Sequence, residues 1–255
     1  MQIGILQYLI ICPLVFIAGF IDAIAGGGGL ISLPAYLIAG LPTHNAIATN
    51  KVSSSMGTVI STARYAKKGY IPWKTAAACV VAALIGSSLG ARLSLMIDDS
   101  VLKIVMLFLL PLTALAVWKS KAVTNEDGDG LAPGLTILIA TVVAFVIGTY
   151  DGFYGPGAGT LMILLLTMAA RMKLQTANGV SKAINLSSNI GSLVVYFSNG
   201  KVILTLGLIA GLFGIAGNYF GSKMFDSRGA KITKPIMLVV LGIFFIKTIV
   251  ELAGK

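Results

Sequence analysis

Gly19-Phe-Ile-Asp22-Ala-Ile-Ala-Gly26-Gly-Gly-Gly29 returns, in altered form, as Gly148-Thr-Tyr-Asp151-Gly-Phe-Tyr-Gly155-Pro-Gly157. Each copy carries a carboxylate in an apolar stretch and then a run that breaks helices, four glycines in one case and Gly-Pro-Gly in the other. The offset is 129 residues; after a two-residue slip it becomes 131 and persists. It pairs Ala46 with Ala177, Lys51 with Lys182, Ser61 with Ser192, Tyr65 with Tyr196 and Gly69 with Gly200. It then pairs Gly86 with Gly217, Gly90 with Gly221, Lys103 with Lys234 and Met106 with Met237. One offset held over about sixty residues marks an internal duplication. The halves are 1–122 and 132–255, joined by a connecting loop at 123–131.

The setting of the repeat is apolar. Of 255 residues, 56% are hydrophobic and 11% charged, and mean hydropathy is +0.92. A soluble domain carries roughly 25% charged residues. Ile5–Ala25, Thr75–Ala91, Val101–Trp118 and Val202–Gly221 are nearly uncharged and long enough to cross a bilayer. The fold class is therefore an all-α polytopic membrane protein. The loop Lys119–Pro133 has too little apolar content to build a soluble core. No basic region of a cleaved signal peptide precedes Ile5–Ala25, which reads as a retained first span. Cys12 and Cys79 fall inside spans and read as packing residues. The net charge of +10 reads as basic loops that set topology, so no nucleic-acid partner is inferred.

Each half divides into five apolar segments, near 3–25, 28–41, 46–66, 74–96 and 100–118, then 133–153, 156–170, 176–198, 201–222 and 232–252. The second of each half is short or broken, giving eight to ten spans. If all ten cross with both termini outside, the loops hold twelve basic residues inside and four outside; if the short segments are re-entrant, the same loops divide eight to eight. The positive-inside rule favours ten. Five crossings per half is odd, so the two repeats are expected to be inverted.

Lys51 and Lys182 interrupt the third segment of each half. An ammonium costs about 3 kcal/mol at the centre of a bilayer, so two at matched positions point to a site. The alternative is that each snorkels to an interface. Around them the segments are polar. Asn50, Ser54 and Gly57 share one helical face, as do Ser181, Asn185 and Ser188 or Asn189. Neutral donors beside a buried cation suit a small oxyanion, whereas serine alone reads as ordinary helix packing. The glycine breaks, with Gly27, Gly28 and Gly157, would present free N–H groups at the start of the next helix. Asp22 and Asp151 could carry a proton, bind a cation, pair with the lysines or cap a broken helix. His44, without a counterpart, reads as a surface residue. Trp73, Trp118, Tyr70 and Tyr150 read as interfacial anchors. The sequence holds no Walker A loop, metal-ligand set or hydrolase constellation, and calls for no cofactor and no enzyme chemistry.

Gly19–Pro34, Gly40-Leu-Pro42 and Ala46–Lys51, with Asp151, Gly155–Gly159 and Ala177–Lys182 in the second half, resemble the sulfite exporter TauE/SafE family of bacterial membrane permeases. The resemblance runs through nearly the whole chain. It implies a multi-pass protein of the cytoplasmic membrane that transports small sulfur-containing or organic anions such as sulfite, sulfoacetate or thiosulfate. It also implies about eight spans, fewer than the charge count favours.

The residues and the resemblance lead to one expectation: a secondary transporter, working outward by alternating access. Lys51 and Lys182 supply charge. Asn50, Ser54, Ser181, Asn185 and Asn189 supply side-chain hydrogen bonds, and Gly27, Gly28 and Gly157 supply backbone donors. Asp22 and Asp151 serve coupling. Its partners are the anion, membrane lipid and a coupling proton or sodium ion; a homo-oligomer stays open. An anion channel, or a membrane scaffold without substrate, are the alternatives.

Overall fold

The computed structural model describes residues 4–98, 101 and 131–228. The expected segments 100–118, apart from Val101, and 232–252, the 123–131 loop apart from its last residue, and Trp118, Lys103 and Lys234 lie outside the described residues, as does the crossing count that depends on them.

The described residues form eight helices: α1 (Ile5–Ala25), α2 (Gly29–Ile38), α3 (Thr43–Lys67), α4 (Trp73–Leu95), α5 (Pro133–Phe153), α6 (Ala158–Met168), α7 (Leu174–Ser198) and α8 (Leu204–Arg228). α1, α4, α5 and the Leu204–Phe225 part of α8 are long and apolar enough to span a bilayer. They turn large apolar side chains outward, among them Leu6, Val81, Leu138 and Leu212. α3 and α7 are as long but polar. They pack on each other, α3 also against α8 and α7 against α4. Their polar residues Thr49, Lys51, Ser53, Asn178, Ser181 and Lys182 are thereby buried.

Glycine permits the close packing of the spanning helices. A Cβ on Gly86 would stand 2.5 Å from the Phe145 carbonyl, and one on Gly90 would overlap the Thr149 carbonyl. In the α8–α1 pair, Gly217 and Gly221 meet the carbonyls of Phe16 and Phe20 in the same way. These are the glycines matched at offset 131, resting on residues matched at offset 129. α4 on α5 and α8 on α1 are thus corresponding contacts.

The second segment of each half is short, as expected. α2 has 10 residues and α6 has 11, rising about 15 and 17 Å against roughly 30 Å of hydrocarbon. Neither helix is long enough to cross by itself. α2 turns back along α1: a Cβ on Gly28 would lie 2.6 Å from Asp22 Cβ and 2.7 Å from the Ala18 carbonyl. α6 turns back along α5, where Met162 and Leu166 share a buried cluster with Ala140 and Val143.

Two sequence readings are corrected. His44 is not on the surface; it is buried at the start of α3, where Nε2 donates to the Ser94 main-chain oxygen at 2.9 Å. Tyr150 is not an interfacial anchor but closes the second break, its hydroxyl donating to the Pro156 carbonyl at 2.7 Å. Cys12 and Cys79 are free and buried, as packing residues are.

Candidate functional site

The two glycine breaks meet. Gly26 ends α1 with φ +73, a left-handed conformation that favours glycine. A Cβ there would lie 2.5 Å from the Thr160 nitrogen, and one on Gly159 would lie 2.6 Å from the Gly26 carbonyl. Thr160 Oγ1 donates to the Ala25 carbonyl at 2.8 Å. Side chains are excluded where the broken helices touch, so backbone meets backbone there.

Four charges surround this junction, and they pair across the halves. Lys51 Nζ lies 3.0 Å from Asp151 Oδ1 and donates to the Asp151 main-chain oxygen at 2.7 Å. Lys182 Nζ lies 2.8 Å from Asp22 Oδ2 and also bonds the Asp22 main-chain oxygen. Each lysine therefore binds both the carboxylate and the main-chain carbonyl of the aspartate that precedes the opposite half's break. Neither snorkels, since their side chains are 3% and 0% exposed. Two lone ammonium groups would be prohibitive here, and pairing with added hydrogen bonds offsets their desolvation. Of the roles open to Asp22 and Asp151, lysine pairing is realised. Neither caps the helix after its break, since the starts of α2 and α6 carry no side-chain cap hydrogen bond. Tyr65 and Tyr196 brace the next carbonyls, their hydroxyls donating to Ala23 at 2.7 Å and Gly152 at 3.0 Å.

Beside the junction is a small polar cavity bordered by Lys51, Asp22 and Asp151. About 40 Å³ of it is open to the centre of a water molecule. One water needs about 10–15 Å³ on that measure, so it holds about three waters or one small oxyanion. Asn50, Ser54, Asn185, Asn189 and Gly28 also line it. Gly27, Gly157, Ser181 and Lys182 do not. Ser181 is fully buried and donates to the Asn178 main-chain oxygen at 2.8 Å.

The lining favours donors. Asn185 Oδ1 accepts from Asn189 Nδ2 at 2.8 Å and from Thr58 Oγ1 at 3.4 Å. Asn50 Oδ1 accepts from Ser54 Oγ at 3.4 Å. With their oxygens engaged, both amides keep Nδ2 for a guest. Gly28 and Gly29 open α2, where N–H groups lack intrahelical partners. Gly155 and Gly159 of the second break also border the cavity, as do Ser53, Thr58 and Asn218, to which the sequence reading gave no role. Asn218 was findable as a lone amide between Gly217 and Gly221 in an apolar span. The others depend on which helix faces meet.

The cavity is less symmetric than the sequence. Offset 131 pairs Ser54 with Asn185 and Thr58 with Asn189, and all four line it. It also pairs Asn50 and Lys51 with Ser181 and Lys182, of which only the first two do. Ser188 Oγ bonds Asp151 Oδ2, whereas the matching position in the first half is Gly57.

A family model described as "Sulfite exporter TauE/SafE" matches residues 11–248. A probable membrane transporter protein, ORF9, from a Sinorhizobium species is 35% identical over 88% of this chain and 85% of its own length. The probable membrane transporter protein YfcA of Escherichia coli K12 is 30% identical over 94% of this chain and 88% of its own. One from Haemophilus influenzae is 30% identical over 94% and 93%. No solved structure gives a significant match. Spans long enough to cross a bilayer, a buried polar centre and a match over most of the chain lead to one conclusion: this is a membrane transporter protein of the TauE/SafE sulfite exporter family.

Proposed function

We propose that the chain is a secondary transporter of a small sulfur-containing or organic anion, such as sulfite, sulfoacetate or thiosulfate. It works outward across the cytoplasmic membrane by alternating access between two inverted repeats, 1–122 and 132–255. The observation that carries this reading is the crossed pairing of Lys51 with Asp151 and Lys182 with Asp22 around one donor-rich cavity. A guest that engages Lys51 competes with Asp151, an element of the other half. Binding is thereby linked to the contact between halves, which is what alternating access needs. Lys51, Asn50, Asn185 and the start of α2 receive the anion. Lys182, with Ser181 behind it, holds the opposite break through Asp22.

Purified protein in proteoliposomes tests this with labelled sulfite, sulfoacetate and thiosulfate. At least one anion should show saturable flux and counterflow, and Lys51→Ala and Lys182→Ala should each abolish it in protein that still folds. Wild-type flux in both variants sinks the reading. Flux without saturation or counterflow replaces the carrier with a channel.

A further inference from the structure

We propose that the anion binds together with one proton, and that Asp151 rather than Asp22 receives that proton. This rests on the reading of the cavity as the anion site. Lys51, Lys182, Asp22 and Asp151 sum to zero charge, and among the described residues Lys51 is the one Lys, Arg or His that borders the cavity. A monovalent anion added to it therefore creates a net negative charge in a low-dielectric space. The anion's cationic partner must be Lys51, because Lys182 does not reach the cavity. Lys51 spends two N–H groups on Asp151, at 3.0 Å and 2.7 Å. When the anion takes Lys51 from Asp151 Oδ1, a buried carboxylate is left beside a buried anion. One proton restores neutrality: the paired ions, the anion and the proton become an ammonium–anion pair and a neutral carboxylic acid. The only bond formed is O–H, on Asp151.

Local geometry selects Asp151 for this role. Ser188 Oγ bonds Asp151 Oδ2 and also lies 3.1 Å from the Asn185 main-chain oxygen, a second acceptor for its hydrogen. A proton on Oδ2 is therefore accommodated by one hydroxyl turn. Asp151 donates to Ser188 Oγ, and Ser188 donates to Asn185. Asp22 has no such relay, because its half carries Gly57 at that position, and it stays bound to Lys182. Among the described residues few ionisable groups surround Asp151. α3 presents Lys51, α7 presents Tyr196 through its bond to Gly152, and Asp22 of α1 lies across the cavity, held by Lys182. α4 brings Ser87 against the adjacent Gly152, and α6 starts from the Gly155–Gly159 backbone.

The test is calorimetric titration of the purified full-length protein with sulfoacetate, thiosulfate and methanesulfonate, whose charges do not change between pH 6 and 8. Repeating it in buffers of different ionisation enthalpy counts protons taken up per anion. Methanesulfonate, with one negative charge, should bring about one proton. In Asp151→Asn an anion should still bind, without proton uptake and with affinity independent of pH. Binding to wild type with no proton overturns the inference and leaves the anion site standing. Proton uptake that persists in Asp151→Asn overturns the assignment to Asp151. If no anion in the series binds, the anion site falls and this inference with it. Should Asp151→Asn fail to fold, the wild-type proton count decides the stoichiometry and Ser188→Ala, which removes the relay, decides the site. Uptake per bound anion should fall in that variant, and unchanged uptake counts against Asp151.

Discussion

Lys182, in the second half of the chain, holds Asp22 of the first at 2.8 Å, with its own side chain wholly buried. Lys182→Met should therefore cost about 3–5 kcal/mol, because it strands a carboxylate. Asp22→Asn combined with Lys182→Met should recover most of that loss. Thermal unfolding in detergent measures both. Equal instability of the single and double variants would mean that packing, not charge, dominates at this position.

The two bracing tyrosines should differ. Tyr196→Phe removes the hydroxyl that Gly152 accepts, whereas Ala23 also receives Asn178 Nδ2 at 3.3 Å. An unpaired buried carbonyl costs about 1–3 kcal/mol. Tyr196→Phe should fall in that range and Tyr65→Phe below it, as read from unfolding midpoints.

Gly90→Ala and Gly221→Ala should each destabilise by about 1–3 kcal/mol, since the added methyl forces α4 off α5 or α8 off α1. Gly134→Ala meets nothing within 4 Å and should match the parent. Thermal stability and size-exclusion profiles provide the comparison.

Cavity exposure can be read chemically. With Cys12 and Cys79 replaced by alanine, Asn50→Cys should react with a small charged thiol reagent at least about tenfold faster than Ser181→Cys, since reactivity follows access. Methanesulfonate, which does not consume the reagent, should slow the first and leave the second unchanged. Equal rates would deny the asymmetry between the two lysine environments.

Much of the architecture was legible because the bilayer restricts the options. A run such as Ile5–Ala25 can satisfy its backbone in hydrocarbon only as a helix, and Gly26–Gly29 and Gly155–Gly159 can interrupt one only inside protein. Offset 131 identified Gly86, Gly90, Gly217 and Gly221 before their packing was known. His44 and Tyr150 were misread because one residue's burial depends on what another element brings to it. The Ser94 carbonyl lies fifty residues from His44 in sequence. For Tyr150 the partner is close in sequence, but only the turn at Gly155–Gly157 directs the Pro156 carbonyl toward it.

By itself the sequence determined the repeated spacing at offsets 129 and 131, the apolar spans, the broken helices and the placement of two lysines and two aspartates inside apolar segments. Those features follow from local composition and periodicity, which need no partner. Only the tertiary structure decided how the charges pair. Lys51 and Asp151 are one hundred residues apart, Lys182 and Asp22 one hundred and sixty, and no local rule chooses crossed pairs over pairs within a half. Contact between the two glycine breaks makes that choice. It brings each half's aspartate, by its carboxylate and its main-chain carbonyl, to the other half's lysine, where burial leaves an ammonium no better partner.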